Sequence, residues 1–146
     1  MFSQTVEYAL RAVVWLAAHE LAQTNQQIAH ATKVPAGYLA KVMQALGRGG
    51  VVSAHRGKRG GFALAKPSRE MTVLEVINAV ERVQRIRECP LGIQSHGNRL
   101  CPLHAKLDGA MAGLEKAFGE TTIFDIVAEP SQSPPLCHIA GVGNVA

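Results

Sequence analysis

The chain of 146 residues is long enough for one domain with a buried core and an appended helix. Its residues are 47% hydrophobic and 18% charged, which excludes a wholly disordered chain. The apolar run at residues 12–18 is too short to span a bilayer, and Glu7 and Arg11 interrupt any hydrophobic segment of a signal peptide. That run therefore predicts no membrane partner. Three cysteines are too few for a disulfide framework, so we expect a cytoplasmic protein with reduced thiols.

Basic residues are concentrated in one part of the chain, although the net charge is only +4. No Asp or Glu occurs between Leu21 and Arg69, and eight of the fifteen Lys and Arg residues fall between Lys33 and Arg69. The rest of the chain carries seven basic against eleven acidic residues. One positive face on an otherwise acidic molecule is typical of a nucleic-acid-binding surface, although a solvated basic face would have the same composition.

The first part of the chain predicts a helix followed by a helix-turn-helix. Ser3 is a suitable N-cap for the first helix, whose apolar residues recur at helical spacing: Val6, Leu10, Val13, Val14, Ala17 and Leu21. Thr24 and Gln27 have capping-box spacing, which predicts a short helix over residues 26–31. Pro35 suits the first position of a third helix that runs to about residue 46. Glycines then end this helix, and its inner face is predicted to comprise Tyr38, Leu39, Val42, Met43 and Leu46.

A basic hairpin and another helix follow. Two short strands, over residues 51–53 and 61–64, flank the glycine-rich basic segment of residues 55–60. Thr72 and Glu75 form a second capping box and open a helix whose apolar stripe is Val73, Ile77, Val80 and Val83. This order of elements predicts a winged helix-turn-helix, a mainly α fold with a small β-hairpin wing.

The last part of the chain predicts a loop and a long amphipathic helix. Pro90, Gly92 and Gly97 indicate a loop over residues 89–100, and Pro102 suits the first helical position after it. The apolar stripe of this helix is Leu103, Leu107, Ala110, Met111, Leu114 and Phe118. Because a helix beyond a loop has little domain core to pack against, the stripe favours a dimer interface over ordinary core packing. A short helix over residues 122–128 folds back, and the uncharged residues from Pro130 onward predict a disordered tail.

A winged helix-turn-helix reads DNA because a helix fits the major groove while the hairpin follows the backbone or the minor groove. This geometry predicts contacts at the start of the second helix of the motif and at the wing tip, from Lys33, Pro35, Ala36, Gly37, Tyr38, Lys41, Arg56, Lys58 and Arg59. The alternative for this face is a protein–protein contact, which the same fold also serves. A homodimer would present two such faces to a palindromic operator.

Two cysteines and a histidine lie close together in sequence at the predicted loop. Cys89, Cys101 and His104 are soft and borderline metal ligands, and Cys101 and His104 share one face at a helix start. Free backbone N–H groups there favour an anionic thiolate or cluster. On spacing alone, both a metal site and an ordinary loop stay open.

The segment VVSAHRGKRGGFALAKP at residues 51–67, followed by TVLEVINAVE at 72–81, resembles the wing and following helix of the IscR/NsrR-type transcription regulators of the Rrf family. VPAGYL at 34–39 resembles their recognition-helix entry, and EYALR at 7–11 resembles their first helix. The resemblance extends in order from residue 1 to about 128. It implies a dimeric DNA-binding regulator, usually a repressor and not an enzyme, whose long C-terminal helix packs on its partner.

The resemblance also implies a set of cofactor ligands. Members that sense through an iron–sulfur cluster carry three evenly spaced cysteines in a loop, and one branch adds a His after the last. Cys89, Cys101 and His104 match the first, third and His positions, whereas Ser95 replaces the middle cysteine. Relatives also use a carboxylate from the first helix of the partner subunit, and Glu7 falls at that position.

Three functional interpretations follow. The first is a repressor that senses redox state, iron or nitric oxide through a [2Fe–2S]-type cluster, held by Cys89, Cys101, His104 and Glu7 of the partner subunit. The second is a cluster-free regulator of the same fold, controlled by thiol oxidation or by a protein partner. The third is a small zinc metalloenzyme using the same loop, although neither a substrate pocket nor a base is identifiable. His96 and Cys137 are expected to be a solvated loop residue and an unused tail residue.

The predicted organisation is a DNA-binding domain over residues 1–86, a sensor loop over 87–101, dimerisation helices over 102–128 and a tail over 129–146.

Overall fold

The computed structural model describes residues 2–96, 99–133 and 135. It contains α1 (Gln4–Ala17), α2 (Asn25–Thr32), α3 (Ala36–Arg48), β1 (Val52–His55), β2 (Gly61–Leu64), α4 (Val73–Val80), α5 (Pro102–Glu120) and α6 (Ile123–Ala128). The mainly helical fold with a two-stranded wing is therefore confirmed. The greater part of the predicted tail, including Cys137 and His138, lies outside the described residues.

Local capping explains where three of the helices begin. The Thr24 hydroxyl accepts the Gln27 N–H at 3.1 Å, and the Gln27 side chain accepts the Thr24 N–H at 2.8 Å, as the predicted capping box requires. Thr72 and Glu75 form the second predicted box at the start of α4. A third box, Thr122 with Asp125, opens α6 and satisfies N–H groups that would otherwise lack partners.

The wing is tied to the helix-turn-helix through backbone hydrogen bonds. β1 and β2 pair antiparallel from Val52 with Leu64 to His55 with Gly61. Phe62 also exchanges two backbone hydrogen bonds with Gln23, at 2.9 and 2.7 Å, just before α2. This close approach requires glycine at position 61, where φ is +141° and a Cβ atom would lie 2.4 Å from the Gln23 carbonyl oxygen.

The core is shared by the first four helices and by the end of the chain. Val13, Met43 and Ile77, from α1, α3 and α4, are fully buried together with Ile123 of α6. The segment between α5 and α6 pairs with the segment before α4, since the Val73 N–H donates to the Thr121 carbonyl at 2.9 Å. Helix α6 therefore closes the same core that supports the helix-turn-helix.

Three details of the predicted helices are wrong. Helix α1 ends at Ala17 and not at Leu21, which is 72% exposed, because the chain turns through hydrogen bonds from the N–H groups of residues 18 and 19 to the end of the helix. Tyr38, predicted on the inner face of α3, is 41% exposed. Helix α4 stops at Val80, although Val83 beyond it still packs against the core.

Among the described residues, no helix is both long and apolar enough to cross a membrane.

Candidate DNA interface and sensor loop

Helix α3 has one buried and one exposed face. Four exposed residues lie at helical spacing along it and form what we call the reading face: Gly37, Lys41, Gln44 and Arg48. The opposite face carries the buried Leu39, Val42, Met43 and Leu46. The sequence predictions ended at Lys41 and missed Gln44 and Arg48, which the same helical period would have found.

The start of α3 is anchored on α1 through Tyr38. The Tyr38 ring packs edge-on against Tyr8, with the ring centroids 5.5 Å apart. Its hydroxyl forms a hydrogen bond with the Thr5 side chain at 2.5 Å. The ring therefore fixes the position of the helix start while part of it stays exposed. Lys33, Pro35 and Ala36, which precede Tyr38, are also exposed.

The wing tip presents three exposed basic residues. Arg56, Lys58 and Arg59 lie in a turn that Gly57 and Gly60 close, with the Gly60 N–H donating to the Gly57 carbonyl at 2.9 Å. A groove of about 520 Å³ separates the wing from α3, and its lining includes Lys41, Gln44, Arg48, Ala54 and Phe62. The reading face and the wing therefore border one continuous concave surface, whose charged lining residues are basic.

The start of α5 brings two of the predicted ligands together. The Cys101 Sγ atom lies 3.3 Å from the Nδ1 atom of His104, and both side chains are half-buried at the start of α5. Cys89 is a free, half-buried thiol, and Ser95 is exposed in a short 3-10 turn, Gln94–His96. In the part of the chain that is described, no three His, Cys, Asp or Glu side chains are grouped as a metal site. The side chain of His96 lies outside that part.

Glu7 is separate from this pair within one chain. Its carboxylate accepts a hydrogen bond from Arg11 Nε at 3.0 Å, an ion pair of exposed side chains on α1. Arg11 also donates to the Thr32 carbonyl at 3.3 Å. Such an exposed pair contributes little to stability, so the Glu7 carboxylate is accessible to a second subunit at small cost.

A cluster of charges that sequence analysis missed fastens the chain just before the predicted sensor loop to α5. Arg85 Nε and Nη2 each lie 2.7 Å from an Asp108 carboxylate oxygen, and Arg85 Nη1 lies 3.0 Å from Glu115 Oε2. The Ile86 N–H donates to Asp108 at 2.9 Å. The hydrogen bonds from Arg85, and then that from Ile86, lower the pKa of Asp108 to about 2. We call Arg85, Asp108 and Glu115 the clamp.

Comparison with known proteins identifies the family. The Rrf2 model, described as an iron-dependent transcriptional regulator, matches residues 2–129. The chain belongs to the Rrf2 family. It is 33% identical over 131 residues to an Aquifex aeolicus protein assigned as an HTH-type transcriptional regulator, covering 87% of this chain and 91% of that protein. It is 30% identical over 130 residues to the HTH-type regulator NsrR of Geobacillus kaustophilus, covering 84% and 86%.

Solved structures share the fold of this Rrf2 member. The global cysteine regulator CymR of B. subtilis matches with a TM-score of 0.73 and 19% identity, covering 90% of this chain and 98% of that one. IscR of T. potens matches with a TM-score of 0.73 and 21% identity, covering 91% and 93%. The resemblance inferred from the wing and helix segments is confirmed. Because the family consists of transcription regulators, the interpretation as a zinc metalloenzyme is set aside.

Proposed function

We propose that this Rrf2 regulator is a homodimeric repressor whose affinity for a palindromic operator depends on the state of its sensor loop. The observation that carries the proposal is the groove between α3 and the wing, bordered by exposed basic residues at a position suited to DNA. In this proposal residues 1–86 bind DNA, 87–101 sense, 102–128 dimerise and 129–146 form a tail.

Different residues of the interface have different roles in this proposal. Gly37 lets the α3 backbone approach the DNA, while Lys41 and Gln44 reach base edges in the major groove. Arginines at the wing tip enter the minor groove or bind phosphates, and Lys58 acts as a point charge toward phosphate. The remaining contacts fix the orientation of the protein on the duplex: Lys33, Pro35, Ala36, Tyr38 and Arg48.

The donor chemistry of the loop fits an iron–sulfur cluster, and it also fits zinc. Cys89 and Cys101 would supply thiolates, His104 an imidazole, and Glu7 of the partner subunit an oxygen ligand. When bound, a cluster would supply a group that responds to redox state, iron supply or nitric oxide. Because Cys101 and His104 lie in and next to the first turn of α5, a change in their ligands acts directly on the proposed dimer helix.

The cluster-free alternative is supported by the same pair of residues. With His104 at 3.3 Å from the Cys101 sulfur, the imidazole can hydrogen-bond the thiol or stabilise its thiolate. A peroxide would then convert the Cys101 thiolate to a sulfenate and leave as an alcohol or water. This route needs neither Cys89 nor a partner carboxylate.

Anaerobic purification tests the cofactor. We expect visible absorption between roughly 300 and 600 nm, with iron and acid-labile sulfide in equal amounts, and loss of both in Cys101→Ser. Cys137→Ser is the matched control and should keep the colour. A protein that stays colourless after an attempt to reconstitute the cluster would contradict the cluster proposal and leave thiol oxidation as the proposed signal.

DNA binding is tested independently of the cofactor. Arg56→Ala should weaken operator binding because one phosphate contact is lost. The slope of the logarithm of the binding constant against the logarithm of the salt concentration should fall by about one. Lys116→Ala, an exposed lysine on α5, is the control and should leave both unchanged. Equal affinity of Arg56→Ala and the wild type at several salt concentrations would remove Arg56 from the interface.

A further inference from the structure

The clamp and the Cys101–His104 pair lie on the same face of α5. Cys101, His104, Asp108 and Glu115 follow one another at spacings of three, four and seven residues, which keeps them on one side of a helix. Arg85 and the Ile86 N–H reach Asp108 from the chain that leads into the sensor loop. The beginning and the end of the loop are therefore fastened to one helix face.

The clamp sets how far Cys89 can lie from the other two ligands. Along the helix axis, Asp108 is about 6 Å from His104 and about 10 Å from Cys101. Cys89 follows Arg85 by four residues, a segment that spans at most about 14 Å. With Arg85 fixed on Asp108, the region that Cys89 can reach is thus limited to about 14 Å around Arg85. Without this contact, the nearest upstream hydrogen bond that holds the chain, among the described residues, is that from the Val83 N–H to the Asn78 side chain, at 3.0 Å.

We propose that Arg85 is a positioning residue for the sensor site: by binding Asp108 and Glu115 it limits how far Cys89 can move from Cys101 and His104, so that the three side chains can be brought together around one group. This inference rests on the proposed function, in which the three side chains hold one group. The chemistry requires arginine, because its planar fork binds both oxygens of Asp108 and still reaches Glu115, whereas an ammonium group is a single point of charge.

The experiment measures the proximity of the two loop thiols without any cofactor. In reduced, metal-free protein carrying Cys137→Ser, a short bifunctional thiol reagent should join Cys89 to Cys101 within one chain. A denaturing gel separates this product from two chains that the reagent has joined to each other. We expect Arg85→Ala to slow this reaction at least about tenfold, because the effective concentration of Cys89 near Cys101 falls. The cross-linking rate of Arg85→Lys should lie between the rates of the parent and of Arg85→Ala.

Two controls separate positioning from a general loss of structure. Arg87→Ala removes an exposed arginine two residues away and should react as the parent does. Asp108→Asn keeps Arg85 but removes the carboxylate that it binds through two nitrogens, and it should slow the reaction as well. Equal reaction rates in Arg85→Ala and Arg87→Ala would overturn the inference, and so would an unchanged rate in Asp108→Asn.

The iron and sulfide contents of the same variants are measured as well, so that a failure of the cluster proposal can be told apart from a failure of the Arg85 inference. If the parent takes up a cluster, Arg85→Ala should lose it faster and Arg87→Ala should not. If the parent takes up none, the cluster proposal fails, while the cross-linking rates still decide whether Arg85 positions Cys89.

Discussion

Gly37 is a residue whose replacement separates protein folding from DNA binding. A Cβ atom at position 37 would meet no atom of the protein within 4 Å, so Gly37→Ala should stabilise α3 by up to about 1 kcal/mol. If the helix backbone approaches DNA here, the same methyl group should weaken operator binding several-fold. Urea unfolding and a DNA titration at fixed salt would measure the two effects.

Gly113 offers the matched control for this substitution. It lies on α5, where a Cβ atom likewise meets nothing within 4 Å, and it is remote from the reading face. Gly113→Ala should raise stability by a similar amount and leave operator affinity unchanged. Unaltered affinity in Gly37→Ala would show that the start of α3 does not approach the duplex closely.

Asp108 should make the stability of the protein sensitive to acid. Its pKa is about 2 in the folded protein against an ordinary value of 3.8, so the unfolded chain binds a proton more readily between these values. The stabilisation from its ion pair is therefore complete above about pH 4 and is lost as the pH falls toward 2. Asp108→Asn should be less stable at pH 7 and should lose less stability over this window.

Urea unfolding at pH 7, 5 and 3 would test this, with Glu120→Gln as an exposed control on the same helix. If Asp108→Asn and the wild type lost the same stability between pH 5 and 3, the ion pair would not be the source of the acid sensitivity.

At the residue scale, sequence identifies exposure better than contact. All nine residues predicted to touch DNA are exposed. On α3 a helical period sorts inner from outer positions, and only Tyr38 was also placed on the inner face. The pairing of Arg85 with Asp108 was not predictable, since the two are 23 positions apart and meet only because α5 packs back along the preceding segment. Their charges alone resemble any solvated surface pair.

At the scale of an element, the wing depends on the glycine that approaches Gln23. Gly61→Ala combines a φ of +141° with a Cβ atom 2.4 Å from a backbone oxygen, so we expect a loss of about 3 kcal/mol or more. Gly50→Ala has a positive φ of +73° but open space around it, and should cost only about 1–2 kcal/mol. Thermal unfolding would compare the two.

Operator binding should follow the same order, because a displaced wing removes Arg56, Lys58 and Arg59 from one side of the groove. Equal losses of stability in Gly61→Ala and Gly50→Ala would show that the Gln23–Phe62 pairing yields without cost.

Helix starts were predictable and helix ends less so. The boxes at Thr24 and Thr72 lie where the sequence places them, because the signal is complete within four residues. The apolar period of α1 continues as far as Leu21, yet the chain turns after Ala18 and leaves Leu21 exposed. A period reports which face is apolar, whereas the end of a helix depends on what the following residues pack against.

At the scale of the whole molecule, the exposed apolar side chains of α5 form the surface on which the proposed second subunit would pack. Leu103 and Leu107 are 64% and 44% exposed on consecutive turns, whereas Phe118 at the other end of the stripe packs on Phe2. Leu103→Glu should shift the protein toward monomer, because a charge would be buried at the interface, and should lower operator affinity at least tenfold because one half-site is lost.

Sedimentation and DNA titration would measure both effects. Ala105→Glu introduces the same side chain two residues away on the other side of α5 and should leave the dimer intact. An unchanged mass for Leu103→Glu would place the subunit contact elsewhere.

The burial of Ile123 sets a time at which the chain can first fold. Helices α1 to α4 are complete at residue 80, but the core that they share also includes Ile123 of α6. Translation at about 5–20 residues per second needs on the order of a few seconds to add the residues between the end of α4 and Ile123. A nascent chain on a ribosome that stalls in this interval has helix α3 but lacks one fully buried residue of its core, so we expect full competence to bind DNA only after α6 has been made.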